Sequence, residues 1–252
     1  MNKYGISFAV LIDMRVRIII WVIGLSLSVI GYGQSRTYVG LRAGGQASSA
    51  FIVHTIFPVN MDVSFIETAH VGAVFKHFNF RSTNPSALQA GFQSGINYIE
   101  RGWQQNFPDA AELEPYQTRL GYLEVPIEAV LYWGQKNTKF YLTMGLYYER
   151  LISDRSKNRP TAEQIAELDD LQTDFWEYEA ARDRVNGYGG RFALGAFTDL
   201  PFGTIQLEVF SSVSFSGVFE FTNRTTEIPD QSNLYSIGLS AAYLLRFGSL
   251  EF

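Results

Sequence analysis

Apolar residues alternate with other residues along much of the chain, most clearly between Arg119 and Ser153. Every second residue is apolar from Leu123 to Trp133, and again from Phe140 to Tyr148. A period of two is typical of a strand with two unlike faces. The short link 134–137 (Gly-Gln-Lys-Asn) predicts a hairpin. Each strand of this hairpin would be about 14 residues long, enough for the 9–11 residues that a tilted strand needs to cross the hydrocarbon of a membrane.

The same alternation predicts eight strands, and the connections between them are alternately long and short. An even number of strands with this layout is typical of a bacterial outer-membrane barrel, with short turns in the periplasm and long loops outside. The barrel must be closed because open sheet edges cannot face lipid. The predicted strands cover residues 37–48, 68–80, 87–103, 119–134, 138–153, 187–198, 204–216 and 233–247.

A soluble, lipocalin-like barrel in the periplasm is the alternative architecture. Its apolar residues would face inward and its charged residues outward. In this chain one strand face is almost unbroken Leu, Ile, Val, Phe and Tyr, and the other is rich in Gly, Ser and Gln. This contrast favours lipid on the outside of the barrel.

Four places depart from the simple pattern. Pro126 cannot donate a ladder hydrogen bond, so a bulge or an irregular pair is expected there. Phe210 is an apolar exception on a polar face, and the facing of strand 68–80 is ambiguous. The connection 49–67 either extends the strands above the membrane or folds over the mouth of the barrel.

The N-terminus predicts export. Residues 18–30 form an apolar run preceded by Arg15 and Arg17, and small residues follow it at 31–33. The run is too short for an ordinary spanning helix, which favours a signal peptide over residues 1–33 against a retained membrane anchor. Met14 is a plausible true start. The mature barrel then spans residues 34–252, with a loop insertion at 154–186.

The composition excludes several classes of function. There is no Cys, so disulfides, thiol chemistry and a Cys-linked lipid anchor are excluded. The net charge is −5, which argues against a nucleic-acid partner because such partners favour a basic face. There is no Gly-rich phosphate loop and no cluster with metal-ligand spacing.

The predicted outer loops are acidic. Residues 154–184 carry nine acidic and five basic side chains, and the segments 103–118 and 216–231 are also net negative. Thr161 and Gln164 form a capping-box pattern, so the 154–186 insertion is expected to contain a surface helix or a mobile lid and no core element. These loops, or the periplasmic turns, are the expected place for a protein partner. An acidic surface attracts a cation or a basic partner. Solvation, and repulsion of anionic neighbours, explain the same acidity without a partner.

Charged side chains occur on the polar face of several strands. Paired carboxylates can perform acid–base chemistry. An eight-stranded barrel, however, has an interior just wide enough for side chains, and buried charges must be paired there. We therefore expect a structural network in the barrel interior. Its predicted members are Arg42, Glu124, Glu128, Glu149, Arg191 and Glu208.

The sequence assigns no catalytic, cofactor-binding or metal-ligating residue. The His residues are His54, His70 and His77. His54 lies near Ser48, Ser49 and Asp62 in the sequence, but a surface position explains it without catalysis. Trp133, Tyr147 and Tyr148 lie near strand ends, where aromatic girdles at the membrane surface are expected.

Several stretches resemble the PorT-type outer-membrane β-barrel family of Bacteroidetes. They are the strand 88–102, which ends Tyr-Ile-Glu-Arg-Gly, the segment 122–126 (Tyr-Leu-Glu-Val-Pro), and the segment 139–145. The resemblance covers about residues 38–252, and the 154–186 insertion is longer than the family leads us to expect. The resemblance implies the barrel fold and a location in the outer membrane. One member of the family supports a secretion system, but the resemblance transfers neither that role nor any functional residue.

The sequence therefore predicts an all-β protein: an eight-stranded antiparallel transmembrane β-barrel with long extracellular loops, one of them partly helical, after an N-terminal signal peptide. The expected function is a non-enzymatic scaffold or partner-binding subunit, linked to secretion, uptake or surface attachment. A narrow passive channel and a barrel enzyme acting on lipid or peptide are the alternatives.

Overall fold

The computed structural model describes residues 34–53, 61–80, 88–110, 112–135, 137–171, 173, 175–220 and 231–247. The predicted signal peptide (1–33) and the candidate His54 lie outside these ranges. The strands are β1 (Gln34–Val53), β2 (Asp62–Ser64), β3 (Ile66–Phe80), β4 (Gln89–Asn106), β5 (Tyr116–Gln135), β6 (Thr138–Lys157), β7 (Asn186–Leu200), β8 (Gly203–Ser214) and β9 (Gln231–Phe247).

The described strands form one antiparallel sheet that closes into a ring. Neighbours follow the order β4-β3-β1-β9-β8-β7-β6-β5, and β5 pairs back with β4. The short strand β2 continues the edge of β3 along the end of β4, where Asp62 pairs with Asn106. Eight long strands therefore build the barrel, as predicted from the alternation.

The two faces of the strands are sorted as expected for a barrel in lipid. In β6, Met144 is 65% exposed, whereas the adjacent Thr143 is fully buried. In β8, burial alternates strictly from Thr204 to Ser214, and the buried positions include Gln206 and Glu208. Apolar side chains thus cover the outside and polar side chains fill the inside, the reverse of a lipocalin.

The facing of β3 is now defined. Val71 is exposed on the outside, and Val74 and Lys76 are buried in the interior. Phe210 also lies in the interior, as its position on the polar face predicted.

The barrel has two unlike ends. Short connections join β5 to β6 and β7 to β8 at one end, which we call the turn end. The strand ends that lead into the longer connections, from β4 to β5, from β6 to β7 and from β8 to β9, lie at the other end, which we call the loop end.

Several strands extend further toward the loop end than predicted. β1 reaches Val53, β4 reaches Asn106 and β6 reaches Lys157, so part of the predicted connection 49–67 is strand. In β4 and β6 the backbone ladder continues although the outward residues become polar, as at Asn106 and Lys157; in β1 the outward Phe51 is still apolar. Apolar alternation marks only the part of a strand that lies in hydrocarbon, and the sequence pattern therefore underestimated the strand lengths.

Pro126 interrupts the pairing of β5 with β4. The register passes from Ile127, opposite Ser94, to Glu124, opposite Asn97, without pairs for Pro126 and Val125. The Ser94 hydroxyl donates to the Pro126 carbonyl oxygen at 2.8 Å. An irregular pair at Pro126 is thus confirmed, but the register shift of β5 lies elsewhere, between Gly121 and Tyr122 on the β6 side.

The helix predicted from the capping box is α1 (Ala162–Asp170). The Thr161 backbone N–H donates to the Gln164 side chain at 2.8 Å, and the Gln164 N–H donates to the Thr161 hydroxyl at 3.3 Å. Within the described ranges, no helix is both long and apolar enough to cross a membrane.

Candidate functional site

Ion pairs fill the middle of the barrel interior. Arg191 contacts Glu128 at 3.0 Å and Glu208 at 2.5 Å. Arg42 reaches from β1 to both sides, to Glu208 at 3.4 Å and to Asn97 at 3.0 Å. All these side chains are buried. The predicted network thus exists, and it connects strands on opposite sides of the ring.

A second group of charges lies nearer the loop end, around Arg101. This guanidinium contacts Glu124 at 2.5 Å and also pairs with Glu149. It lies over the ring of Tyr147, 4.6 Å from the centroid. Tyr147 is therefore an interior residue, and its assignment to an aromatic girdle was wrong. Trp133 and Tyr148 do lie exposed on the outer surface, as predicted.

Two cations that were not predicted complete the network, Arg101 and Lys76. Strand alternation predicts an inward position for Arg101, because this residue lies an even number of positions from Gln93 and Asn97 in β4. The Lys76 ammonium lies 3.9 Å from the centroid of the Tyr141 ring. Its Nζ makes no hydrogen bond within the described residues. By number the buried charges of the network balance, with four basic side chains and four carboxylates: Arg42, Lys76, Arg101 and Arg191, and Glu124, Glu128, Glu149 and Glu208.

An apolar layer closes the interior at the turn end. Phe78 of β3 stacks on Phe197 of β7 at 5.7 Å between ring centroids, and Tyr38 of β1 meets the same ring at 6.1 Å. Since β3 and β7 lie on opposite sides of the ring, these side chains meet across the interior. We call this cluster the lower seal; its buried members are Tyr38, Val74, Phe78, Val130, Tyr132, Tyr141, Phe197, Ala242 and Leu244.

A second apolar layer closes the loop end. Trp103 of β4 meets Phe219, which follows β8, at 6.0 Å, and Trp176 packs on Phe219 at 5.3 Å. We call this cluster the upper seal; it contains Ala50, Ile52, Met61, Ile99, Trp103, Leu120, Tyr122, Leu151, Tyr178, Val218, Phe219 and Leu234.

The long connections form a packed cap above the upper seal. Leu168 of α1 is fully buried against Phe107 and Tyr116. The Tyr178 hydroxyl donates to the Arg184 carbonyl oxygen at 3.0 Å. Burial, with the nearby carboxylate of Asp183, raises the pKa of Tyr178, so this donor stays protonated. The 154–186 insertion therefore contributes to a core, contrary to the expectation that it would contain no core element.

The two His residues within the described ranges, His70 and His77, have different contacts. His70 lies in the interior, where its Nε2 is 3.1 Å from the Ser240 hydroxyl and its ring meets Phe210. His77 lies near Thr37, with its Nδ1 3.0 Å from the hydroxyl. Across the described ranges, no three His, Asp or Glu side chains are placed to hold a metal ion.

The molecule is a closed antiparallel barrel with an apolar outer surface and a filled, charge-balanced interior. This architecture is that of an integral protein of the bacterial outer membrane. Comparison with known families agrees. Residues 32–220 match the model described as outer membrane protein beta-barrel domain. Because this match covers most of the sequence, the chain belongs to that family.

Solved structures with a similar course of the chain include OprG, described as an outer membrane protein, and Ail. OprG from Pseudomonas aeruginosa matches 86% of this chain and 98% of its own, with 9% identity and a TM-score of 0.45. Ail, the attachment invasion locus protein of Yersinia pestis, matches 84% of this chain and 99% of its own, with 12% identity and a TM-score of 0.35. A search of curated protein sequences found no match.

Proposed function

We propose that this barrel is a non-enzymatic, non-conducting scaffold of the outer membrane that binds a protein partner through its cap. The observation that carries the proposal is the filled interior: two apolar seals, each built from strands on opposite sides of the ring, enclose a balanced ion network. Moving an ion through this interior would require breaking buried pairs, each of which costs several kcal/mol.

The cap supports a binding role. Its loops pack on a small apolar core of their own, with Phe107, Tyr116 and Leu168 at the centre. A surface that is ordered before binding loses less conformational entropy when a partner docks. The exposed residues Glu163 and Glu167 of α1 add to the acidic character of the cap, which favours a partner with a basic surface.

A membrane location and a binding role are consistent with secretion, uptake or surface attachment. A narrow passive channel is the first alternative. Recordings from the purified barrel in planar bilayers test it: we expect no unitary conductance steps, and reproducible steps would refute the non-conducting scaffold. A known porin in the same bilayers is the positive control.

Partner binding is tested by affinity capture from detergent-solubilised outer membranes. The paired substitution Glu163→Gln and Glu167→Gln should reduce capture of a protein that the unaltered barrel retains. The matched control, Thr138→Lys with Pro201→Lys, makes the same change in net charge at two exposed positions of the turn end and should retain it. Equal capture by all three proteins would count against the cap as the binding surface.

A barrel enzyme acting on lipid or peptide is the second alternative. Its candidate residue from the sequence is His54. If deletion of the protein removes a lipid or peptide modification that the unaltered gene restores and His54→Ala does not, the non-enzymatic proposal fails.

A further inference from the structure

Four cationic side chains form a strip on the outer surface of two paired strands near the loop end. They follow directly after the apolar part of the surface: Leu123 of β5 pairs with Arg150 of β6, and Tyr148 precedes Arg150 on the same face. We call this surface the basic strip; its members are Arg119, Arg150, Arg155 and Lys157.

A bulge directs two of these cations outward. The β5–β6 register changes between Tyr122, opposite Leu151, and Gly121, opposite Ser153, so Ile152 is an extra residue. Before the bulge, the even-numbered residues of β6 point outward, and after it the odd-numbered residues do. If Ile152 were instead paired in a regular ladder, Arg155 and Lys157 would point to the inner face. Bulges are known to redirect side chains in this way.

Among the described residues, only Arg119 of the strip has an acidic partner. Arg155 lies directly opposite Arg119, and like charges in this arrangement destabilise a strand pair. Arg119 is 3.9 Å from Glu100, a weak contact. Within the described part of the chain, Arg150, Arg155 and Lys157 make no ion pair, although the protein as a whole is acidic.

We propose that the basic strip binds the phosphate-bearing head group of a lipid in the outer leaflet. The guanidinium fork matches phosphate oxygens, and cations beside a membrane surface attract anionic lipids. The head group would lie beside Arg119 and Arg155 while its acyl chains run along the apolar surface formed by Leu123, Leu146 and Tyr148. A bound phosphate would also relieve the repulsion between the two Arg residues.

The position of the strip favours a lipid over a soluble anion. The cations face sideways from the barrel, at the level where hydrocarbon gives way to head groups, and not upward into the cap. A lipid contributes apolar contacts there that inorganic phosphate cannot make.

The test measures binding of fluorescent diphosphoryl lipid A to the refolded barrel in detergent micelles by anisotropy. Arg155→Gln with Lys157→Gln should weaken binding by roughly 30-fold, given the usual contribution of two cations at a membrane surface. Arg159→Gln with Arg246→Gln changes the net charge equally, outside the strip, and should leave the affinity unchanged.

Three results would overturn the proposal: unchanged affinity in the strip variant, an equal loss in both paired variants, or equal affinity for dephosphorylated lipid A. Competition by inorganic phosphate at the same concentration as the lipid would assign the strip to a free anion. Heat-dependent mobility on SDS gels reports folding of each variant. Lys157→Gln alone, at the exposed end of β6, should give an intermediate loss and serves if the paired variant does not fold.

Discussion

Arg191 pairs with two carboxylates in the barrel interior. The alternation of the sequence predicts the face on which such a residue lies, but not its partners. Its inward position follows from strand parity, as do those of Glu128 and Glu208. The identity of its partners does not follow in this way. An odd or even position along a strand determines whether a side chain faces inward or outward, but not which strands lie across the ring. Arg101 illustrates the same limit: its parity indicated the interior, but only closure of the ring places it beside Glu149.

Removing the Arg191 guanidinium should destabilise the barrel strongly. Arg191→Ala leaves Glu128 and Glu208 without their shared cation, and breaking a buried pair typically costs about 3–5 kcal/mol. Urea unfolding in detergent micelles measures this change. Arg159→Ala, at a 62% exposed side chain paired with Glu177, should cost about 1 kcal/mol or less. An unchanged unfolding midpoint for Arg191→Ala would contradict a structural network.

Gly145 marks a close approach of two strands. A Cβ atom there would overlap the backbone carbonyl oxygen of Ile127, whereas a Cβ at Gly45 would meet nothing nearer than the Thr68 carbonyl oxygen at 3.8 Å. We expect Gly145→Ala to lower the free energy of unfolding by about 1–3 kcal/mol. Gly45→Ala should leave it unchanged or raise it by up to about 1 kcal/mol. The same urea titration separates them, and equal effects would contradict the strand spacing described here.

At the scale of elements, the sequence indicates strands well where hydrocarbon imposes two unlike faces and poorly where it does not. The hairpin of β5 and β6 was predicted because its outer face is apolar throughout the membrane. Its extension to Lys157 was not, and neither was the bulge at Ile152, because one inserted residue in a polar segment leaves no hydrophobic signature. Pro126 was detectable because proline lacks the backbone donor.

Helix α1 depends on its cap, since it has only nine residues. Thr161→Ala removes the hydroxyl that accepts the Gln164 N–H and should destabilise the helix locally by about 1 kcal/mol. Hydrogen exchange of the α1 amides should accelerate, with no change in the strands. Thr161→Ser keeps the hydroxyl and should exchange as the unaltered protein does. Unchanged exchange in Thr161→Ala would show that Leu168 packing alone holds the helix.

At the scale of the molecule, the outer surface between the two ends is a continuous apolar band. It includes Met144, Leu207 and Leu239, all at least 60% exposed. Aggregation in water would follow for a surface of this extent. Because this band is visible in the sequence as alternation, the barrel fold and its location in a membrane could be predicted from the sequence. The two seals and the cap could not, because they depend on how distant loops are arranged in three dimensions.

A charge in the middle of this band should be costly. Met144→Arg places a guanidinium midway along the outward residues Phe140 to Tyr148, and such a substitution at the bilayer midplane costs about 2–4 kcal/mol. Leu171→Arg, on the exposed cap, should cost less than about 0.5 kcal/mol. Unfolding in phospholipid vesicles measures both. Similar effects at the two sites would mean that water, not lipid, contacts the band.

Closure of the ring also dictates a sequence of events in time. Thr37 pairs with Phe247, so the first and last strands meet across nearly the whole length of the chain. Until β9 pairs with them, β1 and β8 each have an edge of unpaired backbone N–H and C=O groups, and the charges of the interior are open on that side. A ribosome must therefore finish the polypeptide, and the periplasm must hold it unfolded, before any stable insertion begins. A product truncated ahead of β9 would be left for proteases.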